Sequence, residues 1–154
     1  MNRTVVIADS SALMALDNIG EVEVLRKLYT RITITPEVAH EIGGQNPAWI
    51  NVQSPSARSL NRPEIRSLDL GEASSIALAT ESDNPLLIID EKKGRRVAEQ
   101  LNIEIIGTVG VLIKARMAGF IDDPETILTR LESVDFRMND FLRSMLVGDG
   151  ESIH

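Results

Sequence analysis

The stretch that most constrains the fold is the apolar run at residues 86–89, which ends at the carboxylate of Asp90. It follows a turn-forming Asn84-Pro85 pair, and two of its four residues are β-branched. A short, uninterrupted apolar run is typical of a strand buried on both faces of a parallel sheet. Asp90 is then expected at the carboxyl end of that strand, where open α/β sheets bind their ligands.

A second run of the same kind, at residues 4–8, also ends in a carboxylate, that of Asp9. Further strand-like segments lie at 31–34, 50–52 and 103–106, and amphipathic helical patterns separate the strands. Strands that alternate with helices predict an α/β protein, a three-layer αβα sandwich with a central parallel sheet. We expect residues 1–154 to form one domain, because this length suits a single core.

Two regions stand apart from the regular alternation. Residues 45–68 contain three prolines and many polar residues, so we expect a long loop that carries only a short edge strand at 50–52. Two amphipathic helices are predicted at 124–134 and 139–147. They form a C-terminal helical extension, at about residues 122–147, that either covers the sheet or faces a partner.

The composition excludes several classes of site. The chain has no cysteine and two histidines, which excludes disulfides, thiolate metal sites and a Cys-His nucleophile and argues against a histidine-rich zinc site. No apolar run approaches the roughly 20 residues of a membrane span. The amino terminus does not resemble a secretory signal, so a cytoplasmic location and no membrane partner are expected. The net charge of −7 argues against nucleic-acid binding by overall charge.

Four acids fall where the predicted fold would bring them to one edge of the sheet. Asp9 and Asp90 follow strands, Glu41 lies on a helix that leaves a strand, and Glu72 begins a helix that returns toward one. Each acid also has a purely structural alternative. Asp9 and Asp90 could cap the helices that follow them, Glu72 stands at capping-box spacing from Asp69, and Glu41 could be an exposed helical residue.

Together these acids indicate a chemistry that none indicates alone. Clustered carboxylates repel one another unless they are protonated or bound to cations. Oxygen ligands select hard ions such as Mg²⁺ or Mn²⁺, which can activate water and neutralise charge on a phosphate. We therefore predict metal-assisted phosphodiester hydrolysis. In the metal-free protein, the repulsion should raise at least one of the pKa values, and Asp90→Asn should then stabilise the fold.

The chain resembles the PIN-domain nucleases, and most closely the PIN-like proteins related to the toxins of VapBC toxin–antitoxin pairs. The segments that carry the resemblance, over residues 3 to 121, are Asp9-Ser10-Ser11-Ala12-Leu13, the Pro36 to Glu41 helix, Leu70-Gly71-Glu72-Ala73, Ile89-Asp90, and the closing strand and helix from Ile105 to Leu112. The resemblance implies a Rossmann-like fold and an Mg²⁺- or Mn²⁺-dependent endoribonuclease that acts as a toxin. It implies an RNA substrate, a small antitoxin protein and a homodimer as partners.

The same resemblance assigns the candidate residues. The catalytic acids would be Asp9, Glu41, Glu72 and Asp90. Asp9, Glu72 and Asp90 would be the metal ligands, with Ser11 a polar helper beside the first acid. Many PIN toxins have Thr or Ser where this chain has Ile88, and Asp where it has Glu72. A catalytically silent PIN-like RNA-binding or scaffold protein is therefore an alternative.

A basic patch follows Asp90 directly. Its members, Lys92, Lys93, Arg95 and Arg96, are candidates for binding the RNA backbone, or else form a solvated helix face. A further alternative is a phosphoacceptor signalling domain, which also gathers acids at strand ends and would use Thr108. Such a domain requires an acidic pair after the first strand, but in this chain Asp9 is followed by serines. It also requires a Lys at the end of the last strand, where this chain has Gly107.

Overall fold

The two apolar runs that end in carboxylates form adjacent central strands of one sheet in the computed structural model, which describes residues 4–148. Within those residues the strands are β1 (Val5–Ala8), β2 (Ile32–Ile34), β3 (Ile50–Val52), β4 (Pro85–Ile88) and β5 (Glu104–Ile106). All neighbouring pairs are parallel, in the order β3-β2-β1-β4-β5. The remaining residues of the predicted domain, 1–3 and 149–154, lie outside the described part.

Helices cover both faces of the sheet, so the predicted three-layer α/β fold is confirmed. They are α1 (Ser10–Asn18), α2 (Glu23–Tyr29), α3 (Pro36–Glu41), α4 (Ala57–Leu60), α5 (Leu70–Thr80), α6 (Lys92–Gln100), α7 (Thr108–Met117), α8 (Pro124–Ser133) and α9 (Asp140–Val147). Apolar residues of α1, α2, α3, α7, α8 and α9 pack on one face, whereas those of α5 and α6 pack on the other.

Strand β4 is buried on both faces, as the apolar run predicts. Leu86 and Ile88 join the core cluster on one side of the sheet, and Leu87 and Ile89 join the cluster on the other. This alternation follows from the two-residue period of a strand. The four side chains are at most 4% exposed, which explains why a run without polar residues folds here.

The strand order fixes where a site can form. After β1 the chain moves outward to β2 and β3, then crosses back to β4 and continues to β5. The direction of winding therefore changes between β1 and β4, and ligands of open α/β sheets bind outside the carboxyl ends at such a switch point. Asp9 and Asp90 follow these two strands, and the Asp9 amide donates to the Ile88 carbonyl at 3.0 Å.

The predicted long loop at residues 45–68 is only partly a loop. It contains the expected edge strand β3, but also α4 and a 3₁₀ helix at Pro63–Ile65, which the sequence did not predict. Ser56 caps α4 by accepting from the Ser59 amide, and Glu81, at the end of α5, accepts hydrogen bonds from both serines. The loop expectation was wrong because this carboxylate, distant in sequence, orders a polar segment.

The two C-terminal helices are confirmed within one residue of their predicted ends. Asp123 caps α8, and Asn139 caps α9 by accepting from the Leu142 amide at 2.8 Å. Leu131 and Leu146 are fully buried against the same core cluster as β1. The helices therefore complete the covering of one face of the sheet. No helix in residues 4–148 combines the length and the apolar character needed to cross a membrane.

Candidate acidic site at the carboxyl edge of the sheet

Asp9 occupies the N-cap position of α1, but its side chain makes no capping hydrogen bond. Instead, the Ser11 hydroxyl donates to Asp9 Oδ2 at 3.0 Å. The other oxygen, Oδ1, is buried and finds no hydrogen-bond partner among residues 4–148. A buried, unpaired carboxylate oxygen is costly. The simple capping alternative therefore does not account for Asp9, whose one hydrogen-bonded side-chain oxygen is held by Ser11.

The surroundings of Asp9 disfavour its charge. Burial, foremost, raises the pKa of Asp9 from its ordinary value of 3.8 to about 6. The nearby Ser10 backbone amide and the Ser11 hydroxyl act in the opposite direction, and the charges of Asp69 and Glu41 add to the rise. With only 2% of the residue exposed, water cannot relieve this cost.

Glu72 lies in the first turn of α5 and is 7% exposed. Its pKa rises from 4.5 to about 7, first because of burial and then because of the charges of Asp69 and Asp9. A close approach of α6 contributes to the enclosure, since a Cβ at Gly94 would lie 3.2 Å from Glu72 Oε1. Asp9 and Glu72 therefore share one electronegative environment.

Two members of this environment were not predicted as site residues. Asp69 caps α5 by accepting from the Glu72 amide at 3.0 Å, and its charge raises the pKa of both Asp9 and Glu72. The charge of Glu91 also raises the pKa of Glu72. The sequence indicated only the capping role of Asp69. Its position directly before a helix that returns to the site was the available signal.

Glu41, at the end of α3, is tied to the first acid through its neighbour in sequence. The Ser10 hydroxyl donates to Glu41 Oε1 at 3.0 Å. The Glu41 carboxylate also lies directly against Gly71, where any Cβ would collide with it. A side chain at residue 71 would therefore force the Glu41 carboxylate away from its position against the start of α5.

Asp90 is held differently. Its Oδ1 accepts from the Thr108 amide at 2.8 Å, and its Oδ2 accepts from the Thr108 hydroxyl. Thr108 is the first residue of α7, so Asp90 stabilises the start of that helix and not of α6, which follows it in sequence. Asp90 therefore does cap a helix, as the structural alternative proposed. The capped helix is α7, which follows the neighbouring strand β5, and not α6.

The basic patch divides between two directions on α6. Lys92, Arg95 and Arg96 line a cavity of about 370 Å³ together with Asp90. Lys93 instead donates to the carbonyl of Ser67 at 3.0 Å. This division follows from the 100° rotation between successive helical residues. Three cations and one further acid, Glu99, therefore line the cavity at the Asp90 end of the site.

The residues match a divalent ion in chemistry, although the predicted ligands are not assembled around one point. Within residues 4–148, no three acid or histidine side chains form a group that could enclose a metal ion. The pair Asp9 and Glu72 nevertheless offers hard oxygen donors, mutual repulsion and the unpartnered Asp9 Oδ1. These properties fit Mg²⁺ or Mn²⁺, which relieve such repulsion.

The fold and this edge define an α/β protein with a Rossmann-like sheet and an acidic site at its switch point. Comparison with protein families matches residues 5–148 to the PIN domain. The chain belongs to the PIN-domain family. The match continues through α8 and α9, beyond the 3–121 range of the sequence resemblance. A search of curated proteins gives no match. PIN domains are generally nucleases that use divalent metals, so the family implies a nuclease-type fold.

Proposed function

We propose that this protein is an Mg²⁺- or Mn²⁺-dependent endoribonuclease that cleaves single-stranded RNA. The observation that carries the proposal is the buried Asp9 Oδ1, which lacks a partner among the described residues and stands beside Glu72 at the switch point. Family membership supports the same reaction class. Burial without a hydrogen-bond partner destabilises the charged form of the carboxylate, and a bound cation would offset that cost.

Asp9 and Glu72 would hold the metal, with Asp90 as the third ligand from the adjacent strand. When bound, the ion supplies charge neutralisation on the phosphate and a polarised water. Ser11 orients Asp9 through its hydrogen bond to Oδ2, which leaves Oδ1 available. Glu41 is the remaining catalytic acid, and Ser10 holds its carboxylate toward α1.

The RNA backbone would bind on the Asp90 side of the site. Lys92, Arg95 and Arg96 share a cavity with Asp90, and cations there would contact phosphate oxygens. Ser11 and Lys92 also line an adjoining cavity of about 550 Å³ between α1 and α6, which extends the path for the strand. Lys93 contributes less to this path because it is engaged with Ser67.

Cleavage of a labelled single-stranded RNA tests the proposal. We expect Mn²⁺- or Mg²⁺-dependent cleavage that EDTA stops. Asp9→Asn and Glu72→Gln should lower the rate by about a thousandfold or more, since metal catalysis supplies several kcal/mol. Glu125→Gln, an exposed acid on α8, is the matched control. Full activity in both site variants would overturn the assignment.

We further propose that the enzyme is the cytoplasmic toxin of a toxin–antitoxin pair, as its resemblance to VapBC-related proteins suggests. Induced expression in a bacterial host should arrest growth, whereas expression of Asp9→Asn should not. A small protein encoded beside this gene should restore growth and copurify with the chain. Arrest that is equally strong with Asp9→Asn would refute a toxin role based on cleavage.

The partner set also includes a second copy of the chain. Large apolar side chains near the carboxyl-terminal helices are exposed, among them Phe141 at 69% and Val134 at 47%. Burying such a patch favours association. We propose a homodimer through these helices, detectable by light scattering at micromolar concentration. Phe141→Arg should yield a monomer, and a monomeric wild-type protein would contradict the proposal.

A catalytically silent PIN-like RNA-binding or scaffold protein is the second candidate. It is favoured by the absence, within residues 4–148, of an assembled three-ligand group and by the engagement of both Asp90 oxygens with Thr108. RNA binding without cleavage in Mn²⁺ would support it. The phosphoacceptor alternative conflicts with the strand order, because receivers of that class have the order 2-1-3-4-5.

A further inference from the structure

A cavity of about 380 Å³ lies next to the acidic site, between α1, the start of α2 and the segment that joins α3 to β3. Its volume falls within the range of about 300–1,000 Å³ that small-molecule sites occupy. Glu41 lines this cavity, and its charge also raises the pKa of Asp9, so the cavity adjoins the acidic site. None of the roles described above uses the other residues of the cavity.

The cavity walls combine one aromatic platform with polar side chains. Trp49, the only tryptophan of the chain, is half-buried against the core and lines the cavity at the start of β3. Asn46 also lines it, and its Oδ1 is buried without a hydrogen-bond partner in the described part of the chain. An amide oxygen in this state would gain a partner from a ligand that donates a hydrogen bond.

The charge of the lining selects the kind of ligand. Asp17, Glu23 and Glu41 contribute carboxylates, which accept hydrogen bonds and repel phosphate. One oxygen of Glu23 is paired with Arg26 and one of Glu41 accepts from Ser10, which leaves the second oxygen of each and the Asp17 carboxylate for a ligand. A neutral, flat ligand rich in donors suits such walls. Guanine presents adjacent N1–H and N2–H donors that match the two oxygens of a carboxylate, whereas uracil places its single N–H between two carbonyls.

We propose that this cavity binds a guanine base of the single-stranded RNA substrate, stacked on Trp49, while the adjoining phosphate lies at the acidic site. Single-stranded RNA is commonly recognised by unstacked bases that pack on aromatic side chains and pair through their Watson–Crick edges. The proposal rests on RNA being the substrate and adds a base preference. Asn46 and a cavity carboxylate determine that preference.

The single tryptophan provides a direct readout that does not require cleavage. Titration of the metal-free wild-type protein with guanosine should quench Trp49 emission more strongly than uridine does at equal concentration. Asn46→Leu should remove the difference between the nucleosides, and Asn46→Asp should retain it because a carboxylate is still an acceptor. Asn51→Leu, an exposed position on β3 outside the cavity, is the matched control.

Cleavage of oligouridine that contains one guanosine supplies a second measurement. Trp49→Ala should raise KM for this substrate by about tenfold with little change in kcat, because stacking contributes to binding. Trp49→Phe should preserve most of the affinity, and circular dichroism confirms that each variant folds.

The outcomes separate the base site from the nuclease activity. Quenching by guanosine in a protein that does not cleave RNA would retain the base site and remove only the nuclease proposal. Equal responses to guanosine and uridine, or no response to either, would overturn the base site even in an active nuclease. The absence of any response to either nucleoside is also the result expected if the cavity binds an apolar peptide.

Discussion

Asp9 and Asp90 follow two neighbouring parallel strands, yet the described residues bond both oxygens of Asp90 and only one of Asp9. Asp9 is almost fully buried among acids, whereas Asp90 shares a cavity with three cations. One strand end therefore stores unfavourable electrostatic energy, and the other contributes to the stability of α7. Carboxylates at the ends of neighbouring parallel strands can thus have opposite effects on stability, depending on which side chains and backbone amides lie next to them.

The largest expected effect is an opposite change in stability at the two positions. At pH 7.5 in EDTA, Asp9→Asn should stabilise the fold by about 3 kcal/mol, because it removes a buried charge whose pKa is shifted by about two units. Asp90→Asn should destabilise by about 1 kcal/mol, because the charge that caps α7 is lost. Urea unfolding measures both.

This expectation for Asp90 reverses the one drawn from the sequence, which treated all four acids as mutually repelling. The bonds from Thr108 change the sign. Thr108→Val provides the control, since it removes the hydroxyl bond while leaving the carboxylate in place. If both Asn variants change the free energy of unfolding in the same direction, the two strand ends are not distinct.

The second prediction concerns pH. A carboxyl with a raised pKa binds its proton more tightly in the folded state, so its contribution to stability is present at low pH and is lost as pH rises through that pKa. Asp9 and Glu72, with pKa values of about 6 and about 7, should make the metal-free protein less stable at pH 8 than at pH 5. The two losses together should be about 4 kcal/mol.

Unfolding free energies at several pH values in EDTA measure this slope. Asp9→Asn and Glu72→Gln should each flatten it. A wild-type stability that rises between pH 5 and pH 8, with the same slope in both variants, would show that the acidic pair does not govern the response.

The two strand ends also differ in how much the sequence could tell about them. Their apolar runs are buried on both faces, and this local pattern predicted the strands, the fold and the position of both acids. The hydrogen-bond partners are remote: Thr108 is 18 residues from Asp90, and Glu41 is 31 residues from Ser10. Such hydrogen bonds depend on how the helices pack at the carboxyl edge of the sheet. The spacing of apolar residues along the sequence carries no information about that packing.

Asp69 and Trp49 show a second reason why the sequence did not predict the whole site. Asp69 has a local role as a helix cap, and this role concealed its second effect on the charges of Asp9 and Glu72. Trp49 packs on the core, but it also lines the cavity beside Glu41. A residue with one sufficient local explanation gives no sequence signal of a second role.

The third prediction is that metal binding depends on the unpartnered strand end. Mn²⁺ at ten times its Kd should stabilise the folded protein by about 1.4 kcal/mol, because it binds the folded state preferentially. For a domain of this size the melting temperature should rise by about 3–5 °C. Asp9→Asn and Glu72→Gln should abolish the rise, and Thr108→Val should retain it. A rise that survives both acid substitutions would place the ion elsewhere.

The smallest expected effect tests whether the Asp90 end binds the RNA backbone. Each phosphate contact made to a single strand contributes about 0.7 to the slope of log affinity against log salt. Arg96→Ala, which removes a cation from the Asp90 cavity, should lower the slope by about that amount. Lys93→Ala is the matched control on the same helix, and it should change the slope far less because Lys93 contacts Ser67.

Fluorescence anisotropy with a labelled RNA, using Asp9→Asn protein in EDTA so that the strand stays intact, provides the affinities. Equal slopes for Arg96→Ala and Lys93→Ala would show that the cations act only through overall charge. The Asp90 end would then have a structural role alone.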